Sequence, residues 1–258
     1  MNWSTPDSAY LLGVIHGDGH LGNRSIEISV GYKDQEYADI MTQLLISLGF
    51  RPKVYRQRSA LRIDVHSVAL RRELGPLKIK GTWSWPEDLN IPHYIAGVFD
   101  TDGYVGVAQT KRIGITLKRS GNLARLAQYL SAAGVGEFRA RDTVSSFKGK
   151  LYETETITIC GMDRVLRFIS TVTLRNPRKL ERCRLMRQHI LELKADIPLW
   201  LKVAEWCELE PRTWKEISCQ FGMTKAQVDS VLGNIKAYRT VTVIPPPEAL
   251  SRYSVKNL

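Results

Sequence analysis

Two aspartates, Asp18 and Asp102, each close an apolar stretch of helical character and each precede a glycine, in LLGVIHGDG at 11–19 and IAGVFDTDG at 95–103. Carboxylates at the C-terminal ends of two adjacent helices add their charge to the negative end of each helix dipole, so a site between them favours a cation. Hard oxygen ligands with few other protein donors suit Mg²⁺, which keeps several waters and coordinates phosphate. A cation held there lowers the pKa of an attacking water and stabilises charge on a phosphate and its leaving oxygen. Hydrolysis of a phosphodiester is the chemistry this pattern serves. Taken singly, Asp-Gly after an apolar helix reads equally well as a helix end with a tight turn; the matched contexts of the two copies favour more than that.

The elements around the aspartates repeat as well. IEISVGYKDQEYADIMTQLLISLG, ending at Gly49, matches RIGITLKRSGNLARLAQYLSAAG, ending at Gly134, and places Lys33 on Lys118. In the first copy a helix ends near Asp18. Alternation then puts Ile26, Ile28 and Val30 on one face of a strand and Glu27, Ser29 and Lys33 on the other. Apolar residues recur at helical spacing from Tyr37 to Leu48, with Gly49 as a stop. The strands PKVYRQR and ALRIDVH and a short helix at 67–74 complete the unit. The second copy repeats the order, with strands near 105–109, 113–118, 137–144 and 153–160 and helices near 95–102, 122–133 and 162–172. The stretch from Gly81 to His93 joins the copies. The expected fold class is α+β, as two pseudo-symmetric α-β-β-α-β-β-α units, over 1–90 and 91–195.

The chain has 258 residues, 37 Lys+Arg against 26 Asp+Glu, and a net charge of +11, which favours a polyanionic partner. With 43% hydrophobic and 24% charged residues it is globular in composition. No apolar run approaches the roughly 18 residues of a membrane helix, and the start lacks a secretory pattern. Four cysteines without close paired spacing make neither a zinc site nor a disulfide scaffold. The expectation is an intracellular protein, in the cytoplasm or in the organelle or nucleoid that holds its target, with no membrane association.

The two nonapeptides resemble the LAGLIDADG motif of homing endonucleases, and the duplicated context resembles the single-chain members of that family, over about Ser8 to Ala195. The resemblance implies that the motif helices pack at a pseudo-twofold axis, with Gly13 and Gly97 allowing close approach, while both sheets form a saddle over DNA. It makes Asp18 and Asp102 the metal ligands, with Gly17 and Thr101 beside them in the metal site, and Mg²⁺ the cofactor, with Mn²⁺ as a substitute. It implies a monomer with no obligate protein partner that cuts both strands of double-stranded DNA and leaves staggered 3′ overhangs. His16 departs from the motif, which has an Asp there, as Asp100 does in the second copy. The resemblance also implies a paired catalytic role for Lys33 and Lys118, and the segment PLKIKG suggests Lys80 as a further basic group. Arg178 or Lys179 stands in the corresponding stretch of the second copy. For each lysine a solvated surface charge is an equal reading.

Recognition of DNA falls to the outward strand faces: Arg24, Arg56, Arg58 and Arg62 in the first half, and Arg112, Arg139, Arg141, Lys148 and Lys150 in the second, for phosphate contacts and guanine readout. Thr154, Thr156 and Thr158 alternate with Glu155, Ile157 and Ile159 and present hydroxyls; a solvated sheet face is the plainer reading.

Beyond the repeat, a helix from about Arg178 to Leu193 packs back on the second copy, with His189 as a core or boundary residue. After Pro198, TWKEISCQFGMTKAQVDSVLGNIKAY has the form of a helix-turn-helix over 196–258, with Gly222 at the turn. It would present Lys225, Gln227, Ser230 and Asn234 to a major groove. RTVTVIPPP, from Arg239, reads as a strand or wing. Two other functions use the same scaffold: a catalytically idle DNA-binding regulator and an intron maturase. An intein is disfavoured, since no flanking splicing blocks are present.

Overall fold

A computed structural model describes residues 1–79, 82–106, 112–118, 120–135, 138–147, 150–209 and 213–241. The described chain divides into two compact units, Met1–Arg187 and Gln188–Leu258.

The first unit holds both copies of the repeat, and each is built in the same order. In the first, α1 (Pro6–Asp18) leads into β1 (Gly19–Leu21) and β2 (Ser25–Gly31), then α2 (Gln35–Ser47), β3 (Lys53–Gln57), β4 (Ala60–His66) and α3 (Val68–Leu74). In the second, α4 (Ile91–Asp102) leads into β7 (Gly103–Gly106) and β8 (Arg112–Lys118), then α5 (Asn122–Ala132), β9 (Arg139–Phe147), β10 (Lys150–Cys160) and α6 (Met162–Thr171). Each copy forms a four-stranded antiparallel sheet with the same strand order, β1-β2-β4-β3 and β7-β8-β10-β9. Between the copies a small hairpin pairs β5 (Lys78–Ile79) with β6 (Thr82–Trp83).

Local chemistry explains the boundaries. Pro6 sits in the first turn of α1, where its missing N–H costs nothing, and the Thr5 hydroxyl accepts from Ser8 N. α2 and α5 end alike: Gly49 and Gly134 adopt φ of +86° and +75°, and the next residue's N–H reaches back to Leu45 O at 2.9 Å and to Leu130 O at 3.0 Å. This closure satisfies otherwise orphaned carbonyls and needs a residue that tolerates positive φ, which glycine does without a Cβ penalty.

The core lies between each sheet and the helices, and α1 and α4 run through its middle. Both are apolar nearly all round: every residue from Ser8 to His16 and from Tyr94 to Asp100 is buried. They meet at glycines. A β-carbon on Gly13 would lie 2.2 Å from the Tyr94 carbonyl oxygen, and one on Gly97 would lie 2.2 Å from that of Tyr10. No side chain fits there, so the two backbones touch.

Several elements differ from their sequence-based expectation. α4 starts at Ile91, with Pro92 in its first turn, rather than near Ile95. β7 covers Gly103–Gly106, earlier than expected, and residues 107–109 of the expected strand lie outside the described residues. Lys33 falls beyond β2, in the turn after Gly31, so it is not on the strand's polar face. The long helix α7 spans Pro177–Leu209 and passes through Pro198, beyond the end expected near Leu193.

In the second unit, Trp200 and Val203 of α7 pack with Ile217 of α8 (Trp214–Phe221) and with Val228 and Val231 of α9 (Lys225–Val241), and Leu193 joins the same cluster. Residues on both sides of Pro198 feed one apolar core, which offsets the hydrogen bond a mid-helix proline removes. Thr213 and Glu216 form a reciprocal cap at the start of α8, and Gly222, at φ +63°, makes the turn. Because α9 runs on to Val241, Arg239 to Val241 are helical rather than the start of a strand, each added residue contributing its own intrahelical bond. The rest of that expected wing lies outside the described residues. No described helix is long and apolar enough to cross a membrane.

Candidate active site and nucleic-acid interface

Because α1 and α4 touch through Gly13 and Gly97, their C-termini emerge side by side and bring the two aspartates to one place. Asp102 Oδ2 lies 2.8 Å from where a Gly17 β-carbon would stand, and Thr101 Oγ1 lies 2.0 Å from it. Gly17 is therefore the space into which the end of α4 fits. Both carboxyls titrate above the usual carboxylate range. Burial raises Asp18, against the pull of Lys179 and Lys78. Burial and then the Asp18 charge push Asp102 up to about 6. Two like charges crowded at the negative ends of two helices are costly to ionise together, and a cation removes that cost.

Each helix end is closed by a lysine from a crossover segment. Lys78 Nζ donates to the carbonyls of Ile15, His16 and Gly19 at 2.6, 2.8 and 2.8 Å, and to that of Gly17 at 3.3 Å. Lys179 Nζ donates to Phe99, Asp100 and Thr101 at 2.7, 2.9 and 3.1 Å. Burial lowers both ammonium groups, Lys78 to about 8, with the aspartates pulling the other way. The lysines thus cap the helix dipoles while keeping positive charge beside the carboxylates.

The residues at 16 and 100 hold those crossover segments. Asp100 accepts from Tyr10 OH at 2.6 Å and from the backbone N–H groups of Arg175 and Asn176 at 2.6 and 3.1 Å. At the matching position, His16 Nδ1 lies 2.9 Å from Tyr94 OH and Nε2 lies 2.9 Å from Leu77 O, while its ring stacks on Trp83 at 4.9 Å. Each tyrosine comes from the opposite motif helix. Burial drives His16 down to about 3, so it is neutral. Histidine replaces the motif's aspartate here because its two ring nitrogens span the tyrosine and a carbonyl, where Asp100 meets a tyrosine and two N–H donors.

Beside Asp102 a cavity of about 390 Å³ is lined by His16, Lys78, Thr82, Trp83 and Lys118 among others. Lys118, the exposed last residue of β8, therefore reaches the aspartate centre, and Lys33 does not line it. Lys80 lies outside the described residues, and Lys78, two positions earlier in PLKIKG, is the lysine at the helix end. Both lysines stand in one short segment of the sequence, and it is the contact with the α1 carbonyls that identifies Lys78. The carbonyls of Gly17 and Thr101 are engaged by the two lysines. Among the described residues no group of three or more His, Cys, Asp or Glu is placed to hold a metal. A donor set of two carboxylates suits a hard divalent cation that keeps water and phosphate in its remaining positions.

Residues 92–173, the second copy, match the sequence profile of a family described as a LAGLIDADG-like domain. Among solved structures, I-DmoI in complex with DNA and Ca is similar with a TM-score of 0.50 and 20% identity, over 72% of this chain and 98% of that one. The homing endonuclease I-WcaI bound to its DNA recognition sequence is similar with a TM-score of 0.50 and 14% identity, over 71% and 88%. The fold is that of the LAGLIDADG homing endonucleases. Full-length DUF199/WhiA from Thermatoga maritima aligns over 95% of both chains, with a TM-score of 0.47 and 13% identity. No curated protein sequence matches.

In a LAGLIDADG fold the faces turned away from the helices are open, and register assigns residues to them. On the second sheet, Arg139 and Arg141 stand opposite Thr158 and Thr156, while Lys118 and Thr116 stand opposite Thr154 and Thr156. Arg112, opposite Cys160, shares this face. The Thr116 and Thr156 hydroxyls meet at 2.9 Å. Lys148 lies outside the described residues, and Lys150 is the first residue of β10. On the first sheet Arg62 lies on the open face, but Arg56 does not. It stands opposite Leu61, on the side that carries the core, and its guanidinium lies 5.4 Å from the Tyr32 ring centre. The edge strand β3 is exposed throughout, so alternating polarity gave no phase there. Arg24 is exposed just before β2, and Arg58 sits in the β3–β4 turn at φ +54°.

In the second unit Lys225 and Ser230 are exposed on α9, with the Lys225 ammonium 5.5 Å from the Trp214 ring centre, and Asn234 is half-buried. Gln227 serves as a cap on α9, since its Oε1 accepts from Thr224 N at 2.8 Å and from the Thr224 hydroxyl at 3.0 Å.

Proposed function

We propose that this chain is a divalent-metal-dependent endonuclease that cuts both strands of DNA in the manner of homing enzymes, leaving staggered 3′ overhangs. The observation that carries it is the pair Asp18 and Asp102, held together at two helix ends with Lys78 and Lys179 beside them and Asp102 pushed up to about 6. Such a centre is unfavourable for folding and useful for chemistry on a polyanion. Asp18 and Asp102 hold the cation, Mg²⁺ or Mn²⁺. When bound there it supplies positive charge against the phosphate and the leaving oxygen and acidifies water within its reach. Lys78 and Lys179 keep their ammonium groups at the helix ends, where they stabilise charge building on the phosphate oxygens. Water gives a proton to solvent as it adds to phosphorus, the bond to the 3′ oxygen breaks, and that oxygen takes up a proton from a second water, so both lysines stay charged throughout. Lys118 faces the same cavity and orders water or phosphate in it.

The open sheet faces carry the DNA. The second unit, read as a helix-turn-helix of α8 and α9 turning at Gly222, adds a second contact through Lys225, Ser230 and Asn234. We read the enzyme as an intracellular monomer, encoded within an intron.

The test is cleavage of a randomised duplex library with Mg²⁺ and sequencing of the ends. Staggered cuts at one long motif are expected. Asp18→Asn or Asp102→Asn should lower cleavage at least a hundredfold while binding in Ca²⁺ persists. Binding without cutting by the folded wild type would instead make the protein a regulator on an idle scaffold, and preference for structured RNA would make it a maturase.

A further inference from the structure

The two sheets share a topology but not a charge pattern. On the described open face of the second sheet stand four cations, Arg112, Lys118, Arg139 and Arg141, amid threonines, and no carboxylate shares that face. Asp142, Glu153 and Glu155 fall in the opposite phase. The first sheet's open face places Glu27, Asp64 and Arg62 in adjacent positions of its two central strands, with Lys53 beside Asp64 on the edge strand. Its lysine and arginine are balanced by its two carboxylates.

These groups are partly satisfied by one another and partly not. Arg62 Nη1 donates to Glu27 Oε1 and to the Ser29 hydroxyl. His66 Nε2 lies 2.9 Å from Asp64 Oδ2. Arg62 Nε and Asp64 Oδ1 are buried with no hydrogen-bond partner among the described residues. A base edge meets this donor and acceptor only when the Arg62 and Asp64 side chains turn outward from the strand face, and their unmade bonds lower the cost of that turn. Unmade bonds at buried polar atoms cost free energy until a partner arrives. In the major groove a guanine offers the O6 and N7 acceptors that arginine pairs with, and its cytosine offers the N4 amino donor that a carboxylate accepts from. A carboxylate on a DNA-facing surface repels phosphate, so it weakens binding to every sequence that does not repay it with such a bond.

We infer that the two halves divide the work of recognition: the second sheet supplies sequence-independent phosphate affinity, and Arg62, Asp64 and Glu27 on the first sheet select a G·C pair in its half-site. This rests on the endonuclease reading above, because it requires duplex DNA across both sheets.

The experiment is selection of bound duplexes from a randomised library in Ca²⁺, where cutting is suppressed, followed by salt titrations of cognate and non-cognate duplexes. Asp64→Asn and Glu27→Gln should bind non-cognate DNA as well as or better than the wild type, while preference for G·C at one position of the motif falls roughly tenfold. Arg62→Gln should relax the same position. Arg139→Gln and Arg141→Gln should keep the motif, bind all duplexes more weakly and lower the salt slope by about 1 each. A motif unchanged in the first-sheet variants, or affinity lost in parallel for all sequences, would overturn the division, since losing a carboxylate with a purely structural role changes affinity without changing the base preferred at any one position. If the folded wild type enriches no duplex at all, the endonuclease reading fails first and takes this inference with it.

Discussion

Asp102 is a carboxylate that folding makes hard to ionise. Its usual value is near 3.8 and burial beside Asp18 brings it to about 6, so the folded protein holds a proton that the unfolded chain releases earlier. In the absence of metal, stability therefore falls as pH rises from about 4 to about 6, and stays lower above that window by the full linkage term. Asp102→Asn removes the term. The variant should exceed the wild type by on the order of 1–2 kcal/mol above pH 6, and the gap should close below pH 4. Thermal denaturation at pH 4, 5, 6 and 7.5 measures it. Mg²⁺ at pH 7.5 should raise the wild type and leave the variant nearly unmoved. A variant less stable than the wild type at every pH would mean that Asp102 is a structural cap rather than a charge held in tension. Lys78 works from the other side of the same balance: an ammonium held at about 8 is charged at neutral pH and lost above it, which sets the alkaline edge of any activity that depends on it.

The two motif helices fix the aspartates only because nothing stands between them. A β-carbon at Gly97 meets a carbonyl oxygen at 2.2 Å and one at Gly13 does the same from the other side, so Gly97→Ala must push the backbones apart. Overpacking of this kind costs roughly 1–3 kcal/mol. Chemical denaturation should show that loss, and cleavage should fall further than stability does, because separating the helices separates Asp18 from Asp102. An alanine variant with unaltered stability and cutting would contradict the close contact. This layer was the most legible in the amino-acid sequence, because a duplicated pattern of apolar spacing, terminal glycines and Asp-Gly pairs constrains both copies at once. The strand phase around Thr154, Thr156 and Thr158 and the glycine stops at Gly49 and Gly134 follow from periodicity and backbone sterics alone. What was not legible depended on contacts between elements. That Lys78 reaches the end of α1 follows from carbonyls distant in the chain, which the segment PLKIKG does not announce. Arg56 leaves the open face because register sets it opposite Leu61, and β3, exposed throughout, offers no alternation from which that phase could be read. α7 passes through Pro198 because one apolar cluster holds both sides of it. His16 gave no sequence signal beyond its departure from the motif, since its meaning lies in Tyr94 and Leu77, distant in the chain.

Across the whole molecule, a net charge of +11 is distributed over two units, and their separate cores give each its own structure. Phosphate contacts add through counterion release, so each unit that touches DNA contributes its own share to the salt dependence. Tethering adds to this, because once one unit is bound the other meets DNA at a high effective concentration. A chain ending at residue 197 retains both motifs, both sheets, Lys78 and Lys179, and loses Trp200, Val203 and the α8–α9 pair that complete the second core. If that second unit touches DNA, the shortened chain should bind cognate duplex tenfold or more weakly, with a shallower dependence on salt. Given enough protein to saturate the substrate, it should still cut at the same positions with Mg²⁺. Circular dichroism confirms that the remaining unit is folded before either number is compared. Unchanged affinity and slope would remove the second unit from the interface and leave recognition to the sheets alone. Loss of all cutting by a folded, DNA-bound core would show instead that the α8–α9 pair takes part in building the active complex, and the division into a cutting unit and a holding unit would fall.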